Sequence, residues 1–384
     1  VQDITLILLG AGNSSRFNAP IKKQWLYSGD SPLWLKVAKD FESCFGFTQI
    51  IIVSTAQEIA LMSRFADYAY VEGGESRQES LSNAIAEVQT PYVLVSDIAR
   101  CCIDKAMVRR ILDAKEQGAC IVPALMAVDT LYLDDAPIDR QKVRAIQTPQ
   151  LSKTETLKKA LQTKIIFTDE SSAIASLGEK VTFVDGSATA HKLTKIEDLN
   201  KLPCLRPPVS RHFVGFGLDT HAFEEQKAMV LCGVKIDVPY GFQAHSDGDV
   251  AIHALIDALL GAAGMGDIGE LYPDSDQRYA KIDSTLLLAD TLKRITSFGF
   301  VIHNVDMTIV AQVPKLMPYK EKMRRSLASL LQIKANFVNI KATTSENLGF
   351  IGRKEGVTVH AVATLGYYDW QQNLNRLMQT VEIV

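Results

Sequence analysis

Asp219 and His221 stand in the run VGFGLDTH, and His253 stands in AHSDGDVAIHALIDALLGAAGMGDIG. In an extended strand alternate side chains share a face, so Asp219 and His221 point to one side and Thr220 to the other. The second segment reads as a helix capped by Asp249 and closed near Gly264. Its Ile252, Leu255, Ile256, Leu259, Leu260 and Ala263 recur at helical spacing as a buried stripe. Asp249, His253 and Asp257 follow one another at four-residue intervals along the edge of that stripe. Three donors, Asp219, His221 and His253, leave a fourth position open, the pattern of a catalytic zinc site and not of a structural one. Asp257 is the candidate to orient the His253 ring.

A second group lies near the start of the chain. LILLGAGNSSRFNAPIKKQW is a strand running into a glycine-rich loop followed by Arg16, Lys22 and Lys23. Glycines let backbone N–H groups approach phosphate oxygens while cations neutralise them. Read as G-x-G-x-x-G, the loop places Ser15 where the third glycine belongs, so a dinucleotide fold matches poorly. Three cations within eight residues point to a more heavily charged ligand. Asp97 closes YVLVSD, at the carboxyl edge of a strand where parallel sheets place ligands; a helix cap is the competing reading.

The elements that must carry these groups fall into two sets. ITLILL, QIIIVS, YVLVSD and CIVPAL read as buried strands, separated by helical stretches such as SRQESLSNAIAEV and DKAMVRRILDAKEQ. The alternation predicts an α/β domain with a parallel, Rossmann-like sheet covered by helices. Pro203, Pro207 and Pro208 interrupt the pattern and mark a linker. Beyond it, HFVGFGLDTHAF, helices near 249–263, 283–298 and 315–332, HNVDMTIVAQ, NFVNIKATT and GVTVHAVATL predict an α+β domain. The boundaries drawn are 1–208 and 209–384, with an amphipathic tail, YYDWQQNLNRLMQTVEIV, able to dock on either domain.

Composition narrows the field. A chain of 384 residues with 47% hydrophobic and 22% charged residues is an ordinary globular protein. A formal net charge of -3 supplies no global field for nucleic acid or anionic lipid. The six cysteines form no C-x-x-C pair, and a chain this large has no need of staples, which points to a reducing cytoplasm. The opening residues carry no basic leader before their short apolar run, so neither export nor membrane spanning is expected.

Residues 1–200 resemble the 2-C-methyl-D-erythritol 4-phosphate cytidylyltransferases, through GAGNSSRFNAPIKKQ, GGESRQES, VLVSDIAR, DRQKVRAIQTPQ and AHKLTKIEDL. The resemblance implies that Arg16 and Lys23 stabilise the α-phosphate transition state and that Gly10, Ala11 and Gly12 cradle the phosphates. It implies cytosine contacts from Gly74, Glu75 and Ser80, a Mg²⁺ or Mn²⁺ ligand at Asp97 with Arg100 beside it, and Arg140 and Lys192 positioning the sugar phosphate. Ser14, Ser96 and Ile98 depart from the pattern, which has a glycine, a histidine and an alanine there.

From about 211 to 366 the chain is similar to 2-C-methyl-D-erythritol 2,4-cyclodiphosphate synthases, through GFGLDTHAF, AHSDGDVAIHALIDALLGAAGMGDIGELYPDSD, AQVPKLMPY and KATTSENLGFIGRKEG. That likeness implies zinc on Asp219, His221 and His253, and transition-state stabilisation by His245 and Thr344. It also implies ribose contacts from Asp267 and Gly269, and an erythritol-phosphate border from Tyr272 to Asp276. A cytidine pocket is implied at Ala311, Lys315, Leu316, Ala342, Thr343 and Thr344. Glu346 would hold Mg²⁺ or Mn²⁺, and Phe350 and Arg353 would lie near the substrate.

The combined expectation is a bifunctional enzyme acting on CTP and methylerythritol phosphates, without nucleic-acid or membrane partners. The families imply a trimeric synthase and a dimeric transferase, hence an assembly larger than a trimer, such as a hexamer. Two other readings stay open. One keeps the synthase but makes the first half a nucleotide-binding or assembly module without turnover; the other is a sugar-nucleotide transferase with a structural zinc domain.

Overall fold

The computed structural model describes residues 3–163, 165–244, 246–273, 275–279 and 281–381, with backbone alone over 377–381. The chain folds as two compact units, Val1–Pro208 together with Asp369–Val384, and Val209–Tyr368. The tail therefore belongs to the first unit, where a boundary of 209–384 had put it in the second. Its helix, Trp370–Val381, starts with a buried indole whose Nε1 donates to Tyr27 O at 2.8 Å, an anchor that hydropathy alone does not reveal.

The first unit is built on an eight-stranded sheet. Its strands are β1 (Ile4–Leu9), β2 (Gln49–Ser54), β3 (Ala69–Glu72), β4 (Tyr92–Asp97), β5 (Cys120–Met126), β6 (Arg144–Ile146), β7 (Gln150–Lys153) and β8 (Val181–Asp185). The order is β6-β5-β7-β4-β1-β2-β3, with β8 beside β5. β1 pairs parallel with β2 and β4, and both β1 and β4 are buried throughout, as continuous apolar runs require when helices cover both faces. The sheet is not parallel throughout: β7 runs antiparallel between β4 and β5. Helices α1 (Arg77–Ala86) and α2 (Lys105–Asp113) start where Ser76 accepts from Glu79 N and Asp104 from Ala106 and Met107 N, so short polar caps set both starts. Cys102 and Cys204 form a disulfide, with Cα atoms 5.5 Å apart, against the expectation of free thiols throughout.

The second unit carries a five-stranded sheet in the order β10-β9-β13-β11-β12. Its strands are β9 (Phe213–Glu225), β10 (Tyr240–Phe242), β11 (Phe300–Val310), β12 (Val338–Thr343) and β13 (Gly356–Tyr367). Helix α3 (Val250–Ala263) lies against β9 and β13. Asp249 caps it, and Gly264 at φ 67° ends it in the left-handed conformation that a side chain disfavours. Only His253, Asp257 and Gly261 escape full burial, so the helix is a core element apolar nearly all round, not one with a single buried stripe. Gly215 and Gly217 make the contact possible. A Cβ on either would run into the backbone carbonyl of Ala258 or Ala254, so the helix sits as close to β9 as backbone allows.

Candidate functional site

In the first unit the loop after β1 is fixed from beneath. Ser14 adopts φ 55°, and its hydroxyl accepts from Lys23 N at 3.1 Å and donates to Gln24 Oε1 at 3.2 Å. Here a hydroxyl joins the two ends of the loop, where the family pattern has a glycine suited to that backbone. Glu58, fully buried, accepts from Gln24 Nε2 at 2.9 Å, Trp25 Nε1 at 3.0 Å and Ser54 Oγ at 2.8 Å, and pairs with Lys22 Nζ at 3.3 Å. Lys22 is thereby spent on structure, leaving Arg16 and Lys23 to face the ligand.

Those two cations line a cavity of about 380 Å³ with Gly10, Ala11, Gly12, Gly74, Glu75, Ser80, Asp97 and Lys192. Ten residues singled out in the sequence thus meet on one wall system, drawn from four separate segments. Gly74 N donates to Ser80 Oγ at 3.1 Å, and Glu75 N to Glu79 Oε2 at 2.8 Å, which sets the turn ahead of α1. A second cavity of about 480 Å³ is lined by Arg100, Gln147, Thr148 and Thr168 and shares Arg77, Asp97 and Lys192 with the first. Two molecules bound in the two cavities would meet at those shared charges.

Asp97 is the hub. Lys192 Nζ donates to its Oδ2 at 2.8 Å and Arg77 Nε to its Oδ1 at 3.3 Å. Burial opposes ionisation, but the two cations outweigh it and hold the carboxyl down at about 2. Arg77, which sequence reasoning passed over although it lies inside GGESRQES, also donates to the fully buried Glu170 at 2.7 Å. Its partner lies 93 residues away, so no local spacing signalled it. Burial, then the nearby Lys192 and Arg16, lower Lys23 below the ordinary lysine value, with Asp97 opposing. Arg100 is lowered by burial and donates to Ala190 O at 2.6 Å. Arg140 does not reach either cavity: it is exposed and donates to Val128 O at 2.6 Å.

In the second unit Asp219, His221 and His253 come together with ligand atoms all within 4.8 Å. Asp219 Oδ2 lies 3.0 Å from His221 Nε2 and 3.2 Å from His253 Nδ1. Burial disfavours the Asp219 charge, but the two imidazoles hold its carboxyl well below the usual range; burial lowers His221, and Asp219 more than reverses that. His221 Nδ1 sits 3.1 Å from Gly248 O, which fixes that nitrogen as the donor and leaves Nε2 for the cluster. Thr220 points away, to Thr358 Oγ1 at 2.9 Å, as strand alternation requires.

The orienting group for His253 is not Asp257. His253 Nε2 faces Ser284 Oγ at 3.0 Å and Ser246 Oγ at 3.2 Å, and Asp247 accepts from the Ser284 hydroxyl. Asp257 instead accepts from Ile268 N at 2.8 Å and tethers the next helical turn. Asp249 is wholly structural, accepting from Ala251, Ile252, Cys232 and Gly233 N. Four-residue spacing predicted a common edge, but the neighbours that each residue meets divide its three members among three jobs.

The remaining positions separate into groups. Ala311 N donates to Thr343 O at 2.9 Å where β11 and β12 end side by side, which brings Ala311, Ala342, Thr343 and Thr344 to one edge, with Leu316 buried and Lys315 exposed. Thr344 Oγ1 donates to the exposed Glu346 at 2.8 Å, and Glu346 belongs to no group of three metal donors among the described residues. Asp267 accepts from Glu270 N at 2.9 Å and opens the turn that holds Gly269. Tyr272 does not border an open site: it is buried, with its hydroxyl 2.9 Å from Asp290 and 3.0 Å from Thr291. Asp276 pairs with Arg278, Arg353 pairs with Glu355, and Phe350 is exposed. His245 lies outside the described residues.

Comparison with known proteins agrees along nearly the whole length. Residues 4–203 match the 2-C-methyl-D-erythritol 4-phosphate cytidylyltransferase family, and residues 212–366 match the YgbB family. A protein of Sulfurovum sp. named bifunctional enzyme IspD/IspF is 67% identical over 370 residues, covering 96% of this chain and 99% of that one. Another of the same name from Nitratiruptor sp. is 53% identical over 372 residues, covering 97% and 100%. The solved structure of the bifunctional IspDF from Campylobacter jejuni matches with a TM-score of 0.91 at 44% identity, covering 96% of this chain and 100% of that one.

Proposed function

Because the chain belongs to the bifunctional IspD/IspF family, we propose that its two active sites neutralise phosphate by opposite means, fixed side-chain cations in the first unit and a bound cation in the second. The first unit is the cytidylyltransferase, joining CTP and 2-C-methyl-D-erythritol 4-phosphate with release of pyrophosphate. The second is the cyclodiphosphate synthase, closing 4-diphosphocytidyl-2-C-methyl-D-erythritol 2-phosphate to the 2,4-cyclodiphosphate with release of CMP. An N-terminal module without turnover finds no support, since both halves match enzyme families and the whole chain matches bifunctional relatives.

For transfer, CTP fills the cavity with Lys23 and Arg16 at its α-phosphate, and the methylerythritol phosphate fills the cavity with Arg100. An oxygen of that phosphate bonds to the α-phosphorus, and the bond to the departing pyrophosphate breaks with its electron pair. A phosphate monoester with a second pKa of about 6 is already ionised, so charge neutralisation and not a base is what the site must supply. Lys192, shared by the two cavities, positions the acceptor. Arg140 reaches a substrate only from a second copy of the chain. The arm near it exposes Met126, Val128, Tyr132 and Leu133, an apolar surface suited to the dimer that the transferase resemblance implies.

For cyclisation, Asp219 Oδ2, His221 Nε2 and His253 Nδ1 fit Zn²⁺: one carboxylate and two imidazoles whose other nitrogens are tied back. Zinc held there would supply Lewis acidity to the diphosphate. The protein's own part is to hold both ends of one substrate in reach, a gain of up to ~7–11 kcal/mol for well-oriented groups. Ala311, Lys315, Leu316, Ala342 and Thr343 would take the cytidine, Asp267 and Gly269 the ribose, and Thr344 and His245 the developing charge. Mg²⁺ or Mn²⁺ fits less directly. Both oxygens of Asp97 are engaged by cations, and among the described residues Glu346 belongs to no cluster of three metal donors.

The outward face of β9 exposes Val214, Phe216 and Leu218, opposite the glycines that meet α3, and this apolar row supports a homo-oligomer with a trimeric synthase. Among the described residues no helix is long and apolar enough to cross a membrane. Soluble, multiply charged substrates accord with a cytoplasmic setting. The three-donor cluster carries the synthase reading. Chelation of the whole chain should abolish CMP release with its circular dichroism unchanged. Loss of helical signal on chelation would make the metal structural and overturn that reading.

A further inference from the structure

A third cluster, unused by either reaction, lies in the first unit. The sulfurs of Cys101, Cys102 and Cys204 all fall within 4.8 Å of one another. Cys101 and Cys102 follow the segment that holds Asp97 and Arg100, and Cys204 lies in the proline-rich stretch that leaves the unit. A cleft of about 270 Å³ opens onto Cys102 and Cys204 and is also lined by Cys44 and Asp40. A small reagent or hydrated ion therefore has a route to two of the three sulfurs, and a further sulfur and a carboxylate stand on the cleft wall.

Once the Cys102–Cys204 bond is reduced, three neighbouring thiolates, two of them facing an open cleft, are the donor set of a thiophilic cation, since thiolates select Zn²⁺ or Cu(I) over hard ions. We propose that Cys101, Cys102 and Cys204, when reduced, form a thiolate site for a d¹⁰ cation of the zinc class, and that the Cys102–Cys204 disulfide is the oxidised, metal-free form of the same site. The two states exclude each other because both use the same sulfurs. A water-soluble phosphine converts the oxidised form into the reduced one. It breaks the S–S bond, delivers two electrons and ends as its oxide with the oxygen of one water, whose two protons go to the thiols. The cation then displaces three thiol protons to solvent.

The position gives the site a consequence. The loop after β4 carries Arg100 and, one residue on, Cys101; its Ala99 O accepts from Leu193 N at 2.8 Å, next to Lys192. Either bond type ties this loop to residue 204, which also meets it through Cys204 Sγ, 3.4 Å from Cys101 O.

Cobalt(II) separates this site from the Asp219 cluster, because only thiolates give a sulfur-to-cobalt charge-transfer band in the near ultraviolet. The full-length chain, reduced with phosphine and freed of it under anaerobic conditions, should take up cobalt with such a band. Oxidised wild-type chain should take up cobalt without it. Cys204→Ser and Cys101→Ser should each lose the band or weaken it severalfold, with folding checked by circular dichroism. Cobalt uptake without the band in the reduced wild type would overturn the proposal, and so would a band unchanged in both variants. The synthase reading survives either result.

Discussion

The two active sites handle the same kind of ligand and are built in contrasting ways. Around Asp97 the first unit gathers Arg77, Lys192, Lys23 and Arg16, so that a buried carboxylate is surrounded by this chain's own cations before any ligand arrives. Around Asp219 the second unit gathers two imidazoles, and among the described residues no lysine or arginine pairs with the cluster. One site is a cavity lined by the chain's own cations; the other is a cluster of one carboxylate and two imidazoles, the donor set proposed above for a bound cation. The difference follows from chemistry. Transfer joins two separate molecules whose phosphates can each meet a fixed cation, whereas cyclisation must fold one polyanion upon itself, which a compact divalent charge serves better.

The contrast breaks if each site does not fail alone. His221→Ala removes a donor and should lower CMP release by ~10³-fold, with pyrophosphate release from CTP unchanged; the magnitude is the upper end for losing a transition-state electrostatic contact. Assaying both products on one preparation checks it, and equal loss of both in a folded protein would end the two-site description. Lys23→Ala is the mirror experiment, with pyrophosphate release expected to fall ~10²–10³-fold and CMP release intact.

Smaller effects sharpen the comparison. Ser284→Ala removes a hydroxyl that faces His253 Nε2, and zinc affinity measured by competition with a chromogenic chelator should weaken ~10–100-fold. Asp257→Asn should not weaken it comparably, since that carboxylate caps the following turn. The least of the effects concerns acid. Asp97 is depressed to about 2 from 3.8, so its pairing stabilises the first unit above pH 4 and that contribution is lost as pH falls through 2. Denaturant melts of the first unit between pH 4 and pH 2 should show ~2 kcal/mol of this loss, absent in Asp97→Asn.

How far each site could be read in advance differs too. Asp219, His221 and Thr220 were legible because a two-residue strand period fixes which side chains share a face. His253 was legible as a polar break in an apolar helix. Ser246, Asp247 and Ser284 were not, because they reach the His253 ring from a loop and a helix start that no periodic pattern ties to it. In the first unit the glycine loop and its cations announced a phosphate site. Nothing local separated Lys22, which turns inward to Glu58, from Lys23, which faces the cavity. Arg77 lay inside a quoted motif and was passed over for want of its partners, Asp97 and Glu170, 20 and 93 residues away.

The sequence by itself determined the two classes of domain, the strands and caps that build them, and the residue types able to bind phosphate and metal. These depend on periods of two and 3.6 residues and on short-range capping, which a linear chain displays directly. Tertiary structure alone decided that the tail joins the first unit, that Asp257 caps while Ser284 orients, that Lys22 is structural, and that three cysteines meet. Each of those outcomes depends on a contact between segments far apart in the chain, and such contacts exist only once packing has chosen them.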